Sequence, residues 1–145
     1  MSGIVVGVDS SVHAQKALSW AMREAGLRNS TLTVITVIPA MASPWTGRPL
    51  SVPDGDEAVS HARTAVEEAV AKAASDLSGP KPDSVFVKAF TGFPVQSLID
   101  ASSDAELVVV GSRGTGGFTN LLLGSVTTQV AHHSACPVVI VHGDQ

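Results

Sequence analysis

Apolar residues along this chain follow two rhythms that alternate from end to end. Residues 3 to 9 (GIVVGVD) form a short continuous apolar run that ends in Asp9, Ser10 and Ser11, the pattern of a strand buried on both faces and leading into a helix cap. Over residues 12 to 28 the rhythm changes. Ala17, Leu18, Ala21, Ala25 and Leu27 or Arg28 recur at three-to-four spacing, and Gly26 and Asn29 mark the end, so this stretch predicts a helix. Residues 31 to 38 are β-branched almost throughout and stop at Pro39, which predicts a second strand. Residues 40 to 55 carry three prolines and two glycines without a period and read as an irregular loop. From residue 56 to about 77, Val59, Ala62, Val66, Ala69, Val70, Ala73 and Leu77 make one apolar stripe. Glu57, Arg63, Glu67, Glu68 and Lys72 stay off it, as in an amphipathic helix.

The break at residues 79 to 83 (GPKPD) leads into a β-rich run over 84 to 90. Pro94 then stands where a first helical residue belongs, opening a helix over 94 to 103. Residues 106 to 111 read as another buried strand, residues 124 to 133 as a helix, and residues 136 to 141 as a last strand. Five strands alternating with four helices imply an α/β fold, with an open parallel sheet and helices on both faces, because parallel neighbours require long crossovers.

Composition narrows this picture without redirecting it. With 145 residues, 44% of them hydrophobic and 15% charged, the chain reads as one compact domain over residues 1 to 145. Its formal net charge of -4 argues against a nucleic-acid surface. A polyanionic ligand would therefore have to be met by backbone N–H groups or a metal ion. No apolar run is long enough to span a membrane, and no basic leader precedes the first strand, so the chain is expected to be soluble and cytoplasmic. One cysteine, Cys136, fits a reducing compartment and reads as a small buried residue at a strand entry.

The candidate chemistry lies in residues 111 to 126, GSRGTGGFTNLLLGSV. In open α/β sheets, ligands sit beyond the carboxyl ends of the strands where the strand order reverses, and the first and fourth runs end at Asp9 and Gly111. Gly111, Gly114, Gly116 and Gly117 let a ligand approach the backbone and let successive N–H groups converge on an anion. Seven residues later Gly124 and Ser125 open a helix whose first N–H groups favour negative charge. Arg113 is the sole Lys or Arg after Ala89, the Ser125 hydroxyl adds a donor, and Thr127 and Thr128 lie within the next turn. The segment is not a Walker loop, which needs a lysine beside its second glycine. Read alone, the glycine loop is equally a plain turn, Ser125 an ordinary helix cap, and Asp9 with Ser10 a cap for the first helix. Three or four charge-assisted bonds of about 1.5–3 kcal/mol each only offset an association cost of roughly 4–15 kcal/mol, so tight binding would also need a base pocket. The five histidines are scattered, and the adjacent pair His132 and His133 diverges by about 100° on a helix, which makes a poor metal pair.

Taken together these motifs resemble the universal stress protein family. The resemblance rests on Val8-Asp9-Ser10-Ser11 at the first strand's end, Ala17-Leu18-Ser19-Trp20-Ala21 in the first helix and Gly92-Phe93-Pro94 opening the third. It also rests on Cys136-Pro137-Val138 in the last strand and the compound pattern G-x2-G-x9-G-[ST] at Gly111, Gly114, Gly124 and Ser125. It covers nearly the whole chain. It implies a strand order of 3-2-1-4-5 and an ATP-binding, stress-linked cytoplasmic homodimer. By position, Gly7, Asp9, Ser10, Val37 and Ile38 would hold the adenine end. Gly111, Ser112, Arg113, Gly114, Thr115, Gly116 and Gly117 would lie against ribose and phosphates, and Gly124, Ser125 and Val126 would hold the phosphates. Mg2+ or Mn2+ is expected to accompany the nucleotide, since ligand and protein are both anionic. Pairing is expected through the last strand, residues 137 to 141, with Pro137 at its start and Val141 at its end. The implied role is a nucleotide-dependent regulator without a catalytic residue. A slow ATPase, a nucleotide-free interaction module, and binding of cyclic AMP or a flavin are the alternatives. Trp45, in the loop after the second strand, would cover the ligand or serve a partner surface.

Overall fold

The computed structural model describes residues 3–9, 12–40, 45, 55–112 and 124–142. In chain order the elements are β1 (Ile4–Gly7), α1 (Val12–Arg28), β2 (Thr31–Pro39), α2 (Gly55–Asp76), β3 (Ser84–Gly92), α3 (Pro94–Ser102), β4 (Leu107–Gly111), α4 (Ser125–His133) and β5 (Val138–Val141). The five strands form one parallel sheet, as the alternating pattern implies, in the order β3-β2-β1-β4-β5 that the family resemblance implies.

Two apolar layers flank the sheet. On one face Ile4, Val6, Leu32, Val34, Leu107 and Val109 meet the buried stripe of α1 (Ala17, Leu18, Ala21, Met22, Ala25) and Val66 and Ala73 of α2. On the other, Val5, Ile35, Val108 and Val110 meet Leu98 of α3 and Val130 of α4. Strands buried on both sides cannot alternate apolar with polar residues, which is why β1 and β4 are continuous runs of Ile, Leu and Val. The helices are unequal. α1 and α2 have 17 and 22 residues, whereas α3 and α4 have nine each.

Local signals set the ends of α1. Asn29 takes φ 52°, its N–H donates to Gly26 O (3.2 Å), and the Ser30 N–H donates to Ala25 O (2.9 Å). This is the paired 5→2 and 6→1 closure of a Schellman motif. Gly26 is required there, because a Cβ would run into the Pro80 carbonyl oxygen. Beyond the helix, Arg28 reaches Glu24 (2.7 Å) and Glu106 (3.2 Å). These carboxylates hold the guanidinium above the ordinary arginine value.

Several expectations need correcting. Leu27 is 63% exposed: it lies 200° around the helix from buried Ala25, so it cannot continue the core stripe. Cys136 is only partly buried. β1 is shorter than the apolar run, and β3 continues to Gly92 because β2 offers it partners as far as Pro39. β5 starts at Val138, once Pro137, which has no N–H to give a ladder, has been passed. No described helix is long and apolar enough to cross a membrane.

Candidate functional site

The strands end at different heights, and the difference makes a notch. β1 stops at Gly7, paired with Ile35, while β2 runs on to Pro39. On the other side β4 passes Val109, the partner of Val6, and continues to Gly111. The short central strand is therefore flanked by longer neighbours, and the chain order reverses between β1 and β4. That is the place where open α/β sheets take ligands. The notch is walled by Val37 and Ile38 of β2, floored by the end of β1 and closed by the junction of β4 with α4. Asp9 stands exposed beyond β1.

Three hydrogen bonds fix that junction. The Ser112 N–H donates to Val141 O (2.9 Å), continuing the β4–β5 ladder, and the Gly124 N–H donates to Ser112 O (2.7 Å). The Thr127 hydroxyl donates to Gly111 O (2.5 Å). Thr127 and Ser112 are 4% and 2% exposed, so these bonds lie out of water, where an unmade partner is costly. Gly111 and Ser112 are thereby brought against the first turn of α4, although twelve positions separate Ser112 from Gly124 in sequence. α4 opens on Gly124 in extended conformation (φ -73°, ψ 166°) without a side-chain cap. Its first turn carries no acidic side chain, and Ser125 and Val126 are exposed. This arrangement favours a bound anion.

The structure thus brings together Gly7, Asp9, Val37, Ile38, Gly111, Ser112, Gly124, Ser125 and Val126 at one end of the sheet. Ser10, Arg113, Gly114, Thr115, Gly116 and Gly117 lie outside the described residues. Gly7 also has a packing reason to be glycine, since a Cβ there would come within 2.9 Å of a Leu98 methyl. Thr127 and Thr128, in the turn after Ser125, both bond backbone carbonyls. The Thr128 hydroxyl donates to Gly124 O four residues back, the usual bond of a threonine inside a helix, whereas that of Thr127 donates to Gly111 O across the β4–α4 junction. Sequence reasoning missed that Thr127 is the tie between α4 and β4, and no local pattern marks it. Trp45 is 92% exposed.

Other polar features are remote from the notch. The Arg28–Glu106 pair lies at the opposite ends of the strands, since Glu106 donates its N–H to Gly3 O just before β4 begins. The rings of His132 and His133, 6.0 Å apart, are at the far end of α4. Among the described residues no group of three or more His, Cys, Asp or Glu side chains is placed to hold a metal. An open depression of about 300 Å³ between α1 and the end of β5, lined by Trp20, Arg23, Val141 and His142 among others, is on the face away from α4. None of the residues assigned to the notch line it.

The profile of the Universal stress protein family matches residues 1–142. The chain belongs to this family. A universal stress protein of Mycolicibacterium smegmatis is 38% identical over 142 residues, spanning 98% of this chain and 48% of that protein. One of Mycobacterium tuberculosis is 34% identical over 142 residues, with the same coverage. The chain spans about half the length of the curated relatives it matches. Among solved structures, the family member UspA from Lactobacillus plantarum superposes with a TM-score of 0.73 at 25% identity, covering 97% of both chains. A universal stress protein in complex with cAMP superposes at 0.68 and 25% identity, covering 97% of this chain and 96% of the other.

Proposed function

We propose that this chain binds an adenine nucleotide, ATP with Mg2+ or Mn2+, in the notch above β1, and that it acts through occupancy and shape as a nucleotide-dependent regulator in the stress response. The observation that carries the reading is the β4–α4 junction. Gly111 and Ser112 are held against a helix start without a side-chain cap by two hydrogen bonds, while a third ties Ser112 to β5, which supports a phosphate site formed before any ligand arrives. Preorganisation of this kind lowers the entropic cost of binding. The family member solved with cAMP supports an adenine nucleotide as ligand class.

In this reading Gly7, Asp9, Ser10, Val37 and Ile38 receive the adenine end. Gly111 to Gly117, with Arg113 as the local cation, lie along ribose and phosphates, and Gly124, Ser125 and Val126 bind the phosphates through backbone N–H groups and the Ser125 hydroxyl. The metal would supply charge neutralisation between the phosphates. The regulator reading is favoured over turnover because Asp9 is the one carboxylate among the described residues at the notch, and it stands at the adenine end. A positioned water for hydrolysis requires a group beside the terminal phosphate.

The reading extends to a single cytoplasmic domain that pairs through β5. That strand has a neighbour on one side only and four half-buried apolar residues, an edge that folded proteins cover or pair. Relatives about twice this length have room for two such units in one chain, which supports pairing between two units of this kind.

Titration calorimetry with MgATP is expected to give a micromolar Kd, about -8 kcal/mol. The double variant Gly124→Ala/Ser125→Ala should weaken binding with the fold intact. Absence of heat and of a thermal shift up to millimolar ATP sinks the proposal, and unchanged affinity in the variant returns the loop to a plain turn. Phosphate release followed over hours separates binding from slow hydrolysis.

A further inference from the structure

We propose that the depression between α1 and the end of β5 is a second ligand site, sharing no residue with the notch, and that it takes a small organic anion: a phosphate or carboxylate group carried on a flat ring. Its α1 wall is one face of the helix. Lys16, Ser19, Trp20 and Arg23 line it at three-to-four spacing, so their side chains leave the helix within about 100° of arc. The buried stripe of Ala17, Leu18, Ala21 and Ala25 takes a different arc. Val141 and His142 form the opposite wall. β5 is an edge strand, and on this side of the sheet α1 packs on β1, β4 and β5 while α2 packs on β2 and β3. With α2 at the far edge, no described helix fills the angle between α1 and the end of β5, and a hollow of about 300 Å³ is left there. That is the lower end of the range for small-molecule sites, about 300–1,000 Å³, which suits one ring and one charged group.

The lining complements both parts of such a ligand. Trp20 is half-buried and packs on the core layer beneath α1, as Val141 does. The core therefore holds the indole in place, and its exposed part is a fixed apolar platform on which a ring stacks without ordering a flexible side chain. One turn further along α1, Arg23 is exposed, and its planar guanidinium presents a fork of donors matched to carboxylate or phosphate oxygens. Among the described residues neither Arg23 nor His142 has an ion-pair partner, whereas Arg28 on the same helix is committed to Glu24 and Glu106. Charge selects the sign of the ligand. The chain carries 13 Asp and Glu against 9 Lys and Arg, yet Lys16, Arg23 and His142 line this hollow and no carboxylate does, which makes it a locally cationic place on an acidic protein. An inorganic anion alone would leave Trp20 and Val141 wet, and an uncharged ring would leave Arg23 unpaired.

The test uses the full chain carrying Trp45→Phe, in which Trp20 is the one tryptophan left of two and its emission reports on the hollow. Phenyl phosphate and benzoate are titrated as ring-bearing anions, beside inorganic phosphate, which lacks the ring, and phenol, which lacks the charge. A saturable change in emission is expected with phenyl phosphate or benzoate, and the tighter of the two names the oxyanion. Inorganic phosphate and phenol should bind about tenfold more weakly, as should the ring-bearing anion to Arg23→Gln, which loses a charge-assisted contact with the thermal midpoint unchanged. Arg23→Lys keeps the charge without the fork and should fall between. The site is built from α1 and the end of β5 alone, so it stands whether or not the notch holds a nucleotide, and saturating MgATP should leave the titration unchanged. Absence of any saturable change in emission or calorimetric heat with either anion, up to tens of millimolar, overturns the proposal. So does a change that survives Arg23→Gln, or one that MgATP abolishes, which would put the probe in the notch.

Discussion

Replacing Thr127 by Val tests whether the β4–α4 junction organises the notch. The two side chains are close in shape, so the change removes one hydroxyl from a site that is 4% exposed and leaves the Gly111 carbonyl without its donor. Loss of that bond, with one carbonyl left unsatisfied out of water, costs about 1–3 kcal/mol. For a domain of this size about 2–4 °C of Tm accompanies each kcal/mol, so the midpoint should fall by roughly 3–10 °C. If about 1 kcal/mol of the loss reappears as looser placement of Gly111, Ser112 and Gly124, nucleotide affinity falls about fivefold. Thr127→Ser provides the contrast. It keeps the hydroxyl and gives up one buried methyl, about 0.8 kcal/mol, so it should cost stability without costing affinity. Differential scanning calorimetry and MgATP titration on the three proteins separate the two effects. Equal affinities for Thr127→Val and wild type, or equal losses in the Val and Ser variants, would refute the idea that this bond positions the site.

Two further outcomes concern the frame. Gly26→Ala should destabilise the protein by about 1–3 kcal/mol despite a helix-propensity gain of about 1 kcal/mol, because the new methyl meets a backbone carbonyl at Pro80 that cannot swing aside; a urea midpoint at or above wild type would disprove it. At Asn29, whose φ is 52°, Ala should cost about 1 kcal/mol and Gly should be neutral or slightly stabilising, a difference that thermal unfolding resolves.

Much of the fold was legible because period and punctuation agree. The Ala and Leu spacing of α1, its Asn29 stop, the Pro94 start of α3 and the β-branched run of β2 each carry a local signal, and each sits where that signal predicts. Leu27 was misleading since hydrophobicity alone does not say on which side of a helix a residue falls once the core ends. The glycines gave an incomplete account of themselves. Gly7 stands in the notch but is also required by Leu98, a residue 91 positions away in the chain. Thr127 gives no sign in sequence of its partner, because its hydroxyl reaches Gly111 O only through the way α4 lies over β4.

The sequence by itself determined the alternation of strands and helices, the parallel sheet, the family, and the two glycine-containing segments as the candidate chemistry, because those follow from local period, turn residues and motif spacing. Only the tertiary structure decided that β1 ends short of its neighbours, that Ser112 and Gly124 meet across an intervening segment, and that Phe86 and Phe90 of β3 stay exposed. Each of these is a relation between distant residues, set by ladder register and helix length together, and no local rhythm of the chain encodes it.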